Sequence, residues 1–268
     1  MWAYESVFYQ IYPLGFCGAP FENDGVLTHR ILKVVDWIPH MKKLGVNAVY
    51  FSPVFESDTH GYNTRDYRMV DKRLGTNEDL KEVVARLHEN GIRVILDGVF
   101  NHCGSFNKWL DRERIYEGSE GFDKGAYVDK ESPYHDFFKF QDDYAWPYNQ
   151  SYLGWWGHDT LPKLNYEGSK KLEDYILGIA KKWVSPPYNV DGWRLDVAAD
   201  LGFSQEYNHI FWRKFRNAVK EANPEAIILA ENYGDSYSWL QGDQWDTIMN
   251  YDAFMEPVTY FLTGMEKH

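Results

Sequence analysis

The stretch NVDGWRLDVAAD, residues 189–200, combines the pattern of a buried β-strand with two charged side chains. Its apolar residues mostly alternate along the chain: Val190, Trp193, Leu195 and Val197. Arg194 and Asp196 lie two residues apart, so on a strand both side chains point to the same face. Because burying a charged pair costs several kcal/mol unless geometry and partners compensate, both charges need a structural or functional reason.

Five further runs of β-branched and aromatic residues accompany this strand. The six predicted strands lie within residues 7–13, 47–53, 93–100, 190–198, 226–232 and 246–252. Helical patterns separate most of them, and one has apolar residues at i, i+3, i+4 and i+7: Leu80, Val83, Val84 and Leu87. Because strands and helices alternate, the sequence predicts a parallel sheet.

Residues 104–166 break this alternation, since they show no clean period and are rich in Tyr, Trp, Asp and Gly. A segment of roughly 60 residues is much longer than the usual 2–6 residues of a βα loop. We therefore predict a small inserted domain at 104–166, after the third strand. It would separate strands one to three, in residues 1–103, from strands four to six, in residues 167–268.

Polar residues follow the C-terminal ends of successive strands: Asp97, Asn101, His102, Arg194, Asp196, Glu231, Asn250 and Asp252. A TIM barrel gathers its active site at this face, whereas a doubly wound sheet uses one switch point. Nucleotide-phosphate fingerprints are absent from the sequence. The pattern favours an α/β fold, a TIM (β/α)8-type barrel that is incomplete, with about six strands. We expect Trp193, Leu195 and Val197 to face the helices, and Arg194 and Asp196 to face the barrel mouth.

Composition narrows the class of protein. The net charge of −12 disfavours nucleic acid as a partner. No apolar run approaches the roughly 18 residues of a membrane helix, and the N-terminus lacks signal-peptide features. Two cysteines, Cys17 and Cys103, form no disulfide framework and no paired metal motif. We expect a cytoplasmic protein that binds neither nucleic acid nor membrane.

Two acids at the ends of neighbouring strands, Asp196 and Glu231, suggest a reaction. Two carboxylates that face each other across a substrate are the minimum for glycoside hydrolysis. Aromatic residues make up 18% of the chain, and the flat faces of Trp and Tyr suit sugar rings. On spacing alone, a metal-dependent lyase or isomerase and purely structural ion pairs stay open as alternatives.

Conserved segments of the α-amylase family, glycoside hydrolase family 13, resemble several stretches of this chain in the same order. The stretches are GVNAVYFSPVFES at 45–57 with HGYNTRDY at 60–67, DGVFNH at 97–102, LPKLN at 161–165, GWRLDVAAD at 192–200 and AEN at 230–232. The resemblance implies a retaining glycosidase that acts on the α-glucosidic bonds of maltodextrin-like α-glucans. LPKLN, with Lys163 where amylases often have Asp, resembles the neopullulanase and cyclomaltodextrinase branch.

The resemblance also assigns roles to single residues. Asp196 matches the nucleophile, Glu231 the general acid/base, and Arg194 the arginine that keeps the nucleophile ionised by lowering its pKa. Further substrate-binding positions match Tyr62, by stacking, and His102, Asp97 and His60. For a retaining enzyme we expect the two catalytic carboxyl groups about 5–5.5 Å apart.

Two departures from the family pattern lead to further expectations. The family's third catalytic aspartate follows an Asn-His pair, and neither pair of this chain, at 101–102 and 208–209, precedes an Asp. We expect strands seven and eight to be missing, this chain alone to lack turnover, and the missing C-terminal part of the same polypeptide to be a candidate partner. Ala199 and Asp200 replace a Lys-His pair common in α-amylases, which questions the family's calcium link. The chemistry itself needs no cofactor, while a structural calcium stays open.

Three other functions remain as alternatives. A 4-α-glucanotransferase or another transglycosylase would use the same residues, and product analysis at high acceptor concentration would identify it. A non-catalytic relative would bind glycan without turnover. A phosphate-binding metabolic barrel is the third alternative, although the sequence has no Gly-rich phosphate loop.

Overall fold

A single parallel sheet organises the computed structural model, which describes residues 1–119, 122, 124–142, 146 and 151–265. The strands are β1 Phe8–Ile11, β2 Ala48–Phe51, β3 Phe55–Ser57, β4 Thr64–Val70, β5 Arg93–Gly98, β6 Gly192–Leu195, β7 Ile227–Ala230 and β8 Thr247–Ile248. The sheet has the order β1-β2-β5-β6-β7-β8, and each of the six predicted regions supplies one strand. Because the order follows the chain without reversal, the sheet is an incomplete TIM-type barrel and not a doubly wound sheet, as predicted.

Seven α-helices lie in the described part of the chain: α1 Pro13–Phe16, α2 Lys33–Asp36, α3 Ile38–Lys43, α4 Asn77–Glu89, α5 Lys170–Val184, α6 Gln205–Ala222 and α7 Glu256–Thr263. α4 begins at the predicted capping box, in which Thr76 Oγ1 accepts from the backbone N–H of Asp79 at 3.1 Å. Asp79 in turn accepts from the backbone N–H of Thr76 at 2.6 Å. Serine side chains cap α5 and α6 in the same way, so short polar residues define where these helices start.

Strand β6 has the two-faced character that its sequence predicts. Trp193 and Leu195 are fully buried, and the indole N–H of Trp193 donates to the carbonyl of Ala180 on α5 at 3.1 Å. Arg194 lies on the opposite face, in register with Asp97 of β5. The prediction for Val197 is wrong, because the strand ends at Leu195 and Val197 adopts a left-handed φ of 39°. This turn carries Val197 to the cleft instead of the helices.

The antiparallel hairpin of β3 and β4 was not among the predicted elements. Its pairing is irregular, with register shifts on both sides of Glu56. A three-residue strand with such shifts leaves no readable period in the sequence. Residues 58–63 connect its two strands, so the hairpin positions Tyr62 and His60.

The described residues of 104–166 contain little regular structure. Two 3-10 turns, His135–Phe137 and Trp155–Gly157, lie in this segment, and isolated bridges join Phe140 to Tyr152 and Gly154 to Pro162. The buried aromatic residues of this segment pack into the same hydrophobic core as the barrel helices. The domain boundaries at 103/104 and 166/167 stay a prediction.

Side chains on the inner face of the sheet line a cavity of about 660 Å³. It is mainly apolar, and Phe8, Tyr50, Ile95, Ile227 and Leu229 contribute to it. The mouth-facing polar residues lie at the C-terminal ends of the strands. None of the described helices is long and apolar enough to cross a membrane.

Candidate active site

Arg194 is the centre of the polar group at the barrel mouth. Its Nη1 contacts Asp196 Oδ1 at 2.7 Å and Asp97 Oδ1 at 3.1 Å, and its Nη2 contacts Glu231 Oε2 at 2.9 Å. The side chain of Arg194 is only 5% exposed. Three adjacent strands thus deliver three carboxylates to one guanidinium, and we call these four residues the mouth cluster. The shared guanidinium places Asp196 and Glu231 side by side, while the separation of 5–5.5 Å stays a prediction.

Asp97 is the most deeply buried member of the mouth cluster, with no exposed surface. The hydroxyl groups of Tyr50 and Tyr62 both donate to its Oδ2, and the Tyr62 distance is 3.2 Å. Burial raises the pKa of Asp97, while the charge of Arg194 opposes the rise. Asp97 is more deeply buried than Asp196 and Glu231 and is held by three donors, which suits a supporting role.

The pKa of Asp196 moves in the opposite direction from the expectation. Burial and the charge of Asp97 raise this pKa, Arg194 lowers it in part, and the balance brings it to about 8. Arg194 lowers the pKa of Asp196 as expected, but burial and the charge of Asp97, which the expectation did not include, outweigh it. In the fold, one guanidinium is shared among three carboxylates, so no single carboxylate receives its full effect.

Glu231 lies beside the open side of the cluster. Its Oε2 accepts from the backbone N–H of Val197 at 3.0 Å, and its Oε1 accepts from the hydroxyl of Tyr251 at 3.2 Å. The left-handed φ of Val197 is rare for a β-branched residue and marks strain at this turn. Val197 comes directly after the candidate nucleophile Asp196, and the strained turn points its backbone N–H at the carboxylate of Glu231.

A cleft of about 450 Å³ opens in front of Glu231. Trp155, Trp156 and Tyr233 line it, and Trp156 is 80% exposed. The rings of Trp155 and Trp156 stack with centroids 5.2 Å apart. Flat aromatic faces beside a carboxylate pair form a suitable surface for sugar rings.

His102 stacks on the inner side of this aromatic group, with its ring centroid 5.3 Å from that of Trp155. Its Nε2 lies 3.0 Å from the carbonyl oxygen of Tyr62, and its Nδ1 lies 3.0 Å from the amide nitrogen of Asn101. The carbonyl accepts from Nε2 and the amide donates to Nδ1, so the ring has one proton. Burial lowers the pKa of His102 to about 3, which keeps it neutral.

His60 and Tyr62 occupy the loop between β3 and β4. The backbone N–H of Tyr62 donates to His60 Nδ1 at 3.2 Å, and burial lowers the pKa of His60. His60 therefore supports the loop, whereas the Tyr62 ring reaches Asp97. Each residue predicted for the site lies in or beside the mouth cluster, and their roles stay predictions.

Three contacts at the site were not predicted, those of Tyr50, Tyr251 and Val197. Tyr50 was detectable, because alternation along β2 places it on the inner face in register with Ile95. Asn250 and Asp252 were predicted as strand-end polar residues. Asp252 accepts from the backbone N–H of Gly234 at 2.6 Å, and Asn250 lines the inner cavity. No group of three or more His, Cys, Asp or Glu residues suited to a metal occurs among the described residues.

Comparisons with known proteins identify the family of this chain. The model of the α-amylase catalytic domain matches residues 10–263. A cyclomaltodextrinase of a Bacillus species is 36% identical over 284 residues, covering 97% of this chain and 46% of that protein. Neopullulanase 2 of Thermoactinomyces vulgaris is 33% identical, covering 98% and 45%. These names are those of the predicted branch.

A solved structure gives the same result. The cyclic α-maltosyl-(1→6)-maltose hydrolase of Arthrobacter globiformis, in its ligand-free form, has a TM-score of 0.78 and 30% identity, covering 97% of this chain and 58% of that one. This chain spans about half the length of the curated relatives it matches. By its family match, its sequence identity and its fold, the chain belongs to the family of α-amylase catalytic domains.

Proposed function

We propose that this chain carries the catalytic acids of a retaining glycosidase that acts on α-glucosidic bonds of maltodextrin-like α-glucans. The observation that carries the proposal is the shared guanidinium of Arg194, which holds Asp196 and Glu231 side by side. A cleft lined by Glu231 and by the exposed Trp156 opens beside this pair. Retaining hydrolysis needs two carboxyl groups that flank the scissile bond, about 5–5.5 Å apart.

The mechanism has two displacements. Asp196 attacks the anomeric carbon while Glu231 gives its proton to the departing glycosidic oxygen, which leaves with the bonding electrons. A covalent glycosyl ester on Asp196 results. Glu231 then takes a proton from water, the water oxygen attacks the anomeric carbon, and Asp196 leaves as a carboxylate.

Contacts around the two acids support these roles. Asp196 must be ionised to attack, and Arg194 at 2.7 Å favours the ionised form against burial and Asp97. Glu231 is held at both oxygens, by Val197 and Tyr251, so its carboxyl group is fixed in direction. Fixed acids avoid the cost of reorganisation during the reaction.

We further propose that the 268 residues alone turn over poorly. The mouth cluster holds three carboxylates, one of which, Asp97, is fully buried, and the third acid of the family pattern is absent from the sequence. Loss of one stabilising charge typically costs about 3 kcal/mol of transition-state energy. The remaining part of the polypeptide would then be the partner that restores activity.

The test is an assay of the purified chain with maltotriose beside calorimetry with maltoheptaose. We expect glucan binding with little turnover. Turnover at rates typical of complete enzymes would overturn the proposal of a poorly active chain, and absence of both binding and turnover would overturn the proposed substrate class. Product analysis at high acceptor concentration separates hydrolysis from transfer, and the cytoplasmic location stays a prediction.

A further inference from the structure

Lys163 brings a positive charge to the junction between the inserted segment and the barrel. Its ammonium group contacts three oxygens: Asn101 Oδ1 at 2.5 Å, the carbonyl of Asp200, and the carbonyl of Leu201 at 3.3 Å. Asn101 follows β5, and Asp200 and Leu201 follow β6. An ammonium group has three N–H donors, so three oxygen acceptors match its full capacity.

Two hydrogen-bonded routes lead from Lys163 to the same pair of rings. On the first, Asn101 accepts from Lys163 and its amide nitrogen lies 3.0 Å from His102 Nδ1. On the second, Asp200 accepts from Lys163 through its carbonyl, and its carboxylate accepts from the indole N–H of Trp155 at 3.3 Å. Because the side chains of His102 and Trp155 stack on each other, the two routes meet there and form a closed loop of contacts at the edge of the cleft.

The backbone strengthens this arrangement. Lys163 forms an isolated antiparallel bridge with His102, and the N–H of Leu164 donates to the carbonyl of Asn101 at 3.1 Å. The backbone of Lys163 is therefore held beside Asn101 and His102, so its side chain starts from a fixed position. A flexible surface lysine would not have this property.

The structural calcium that the family resemblance left open does not fit this junction. Calcium takes six to eight oxygen ligands at about 2.3–2.6 Å. Here the three converging oxygens already face an ammonium group, and the carboxylate of Asp200 is turned toward Trp155. A divalent cation would have to displace the ammonium or lie beside it at a large electrostatic cost.

We propose that Lys163 is a built-in cation that joins the inserted segment to the ends of β5 and β6 and thereby positions the His102–Trp155 ring pair for the substrate. It is a positioning residue, since its contacts are with Asn101 and the turn after β6. The junction needs no metal, because its cation is covalently part of the chain.

The experiment compares the 268-residue chain with Lys163→Met, Lys163→Arg, Lys163→Asp and the control Lys139→Met. Lys139 is a matched control, because its Nζ lies over the same Phe203 ring as that of Lys163, at 4.9 Å against 5.5 Å. Thermal melting is measured in chelator and in millimolar calcium chloride, and the Kd for maltoheptaose is measured by calorimetry. The binding measurement rests on the proposed function, whereas melting does not.

We expect the melting temperature of the unsubstituted chain to be the same in chelator and in calcium. Lys163→Met should lower it by several degrees and weaken maltoheptaose binding at least fivefold, with Lys163→Arg intermediate and Lys139→Met unchanged. Lys163→Asp replaces the cation by a carboxylate, so calcium should raise its melting temperature. In a Trp155→Ala background, Lys163→Met should weaken binding no further.

Three results would overturn the proposal. The first is stabilisation of the unsubstituted chain by calcium, seen as a higher melting temperature in calcium chloride than in chelator. The second is unchanged melting in Lys163→Met. The third is a further loss of binding by Lys163→Met in the Trp155→Ala background, since the effect would then not pass through the ring pair. If no variant and no parent chain binds maltoheptaose, the proposed function fails while the melting results still decide the role of Lys163.

Discussion

Carboxylates at the two ends of the sheet differ in the number of cations that contact each of them. At the base, where strands begin, Asp246 accepts from Arg216 at 2.7 Å, from Lys220 at 2.8 Å and from the backbone N–H of Ile228 at 2.9 Å. Two cations and an amide satisfy one carboxylate. At the mouth, where strands end, one cation serves three carboxylates.

A second base carboxylate follows the same rule. Asp191, directly before β6, accepts from Arg93 at 2.9 Å and from the backbone N–H of Val94 at 2.8 Å, and it lies 2.6 Å from His88 Nε2. Each base carboxylate has its own set of donors, whereas the three acids at the mouth share one cation. This difference fits a base that stabilises the fold and a mouth that has the proposed catalytic role.

The largest expected effect is on reactivity, in Asp196→Asn. Loss of a nucleophile should lower the rate of α-maltosyl fluoride cleavage by about 10³-fold or more.

The same substitution, Asp196→Asn, should raise the stability of the fold. The folded-state pKa of Asp196, about 8, lies above its ordinary value of 3.8, so its contribution to stability falls as pH rises between these values. At pH 7 the uncharged amide removes that penalty, and we expect a gain of about 1 kcal/mol in the free energy of unfolding in urea. A loss of stability would contradict the contrast between the two ends.

At the base, Asp246→Asn should have the opposite outcome. Removing the acid leaves Arg216 and Lys220 without their buried partner, and breaking such a pair costs about 3–5 kcal/mol. Urea unfolding measures the loss. The matched control is Asp243→Asn, since Asp243 pairs with Arg213 at the surface, where the side chains are 45% and 49% exposed. A loss below about 1 kcal/mol in Asp246→Asn would show that the base cluster contributes little.

The pH dependence of stability sharpens the comparison further. The folded-state pKa of His102, about 3, lies below its ordinary value of 6.5. Between these values only the unfolded chain binds the proton, so stability falls as pH falls, by about 1.4 kcal/mol per pH unit. Urea midpoints at pH 6, 5 and 4 should show a smaller slope in His102→Gln than in the parent chain. Equal slopes would mean that His102 is protonated in the fold.

The smallest expected effect belongs to the surface pair itself. Asp243→Asn should change the free energy of unfolding by less than about 0.5 kcal/mol, because exposed ion pairs contribute little. Urea unfolding at low and at high salt checks this. A salt-dependent loss of several kcal/mol would mean that exposure alone does not separate weak pairs from strong ones in this chain.

Alternation along single strands predicted much of the fold. It placed Trp193 and Leu195 against the helices and Arg194 with Asp196 at the mouth, because a strand has a period of two. It also contained the position of Tyr50, which the prediction overlooked. Alternation did not predict the hairpin of β3 and β4 or the turn at Val197. Irregular strand pairing and a left-handed β-branched residue leave no periodic pattern in the sequence.

The direction of the Asp196 pKa needed the tertiary structure. It depends on the register that brings Asp97 opposite Arg194, and on burial, neither of which a spacing of two residues contains. The role of Lys163 depends on a similar long-range meeting, since Asn101 and Asp200 lie 62 and 37 residues from it in sequence. The family resemblance identified Asp196 and Glu231 as the candidate acids, whereas only the fold shows that both contact Arg194.

The most direct test of the central claim, that Asp196 is the nucleophile held beside Glu231, is covalent trapping. Fluoride leaves without protonation, so 5-fluoro-α-maltosyl fluoride needs only the attacking carboxylate and should label even a poorly active chain. Peptide mass spectrometry should locate one glycosyl ester on Asp196, retained in Glu231→Gln and lost in Asp196→Asn. A label on Asp97 or Glu231, or no label on a chain that binds maltoheptaose, would contradict the account.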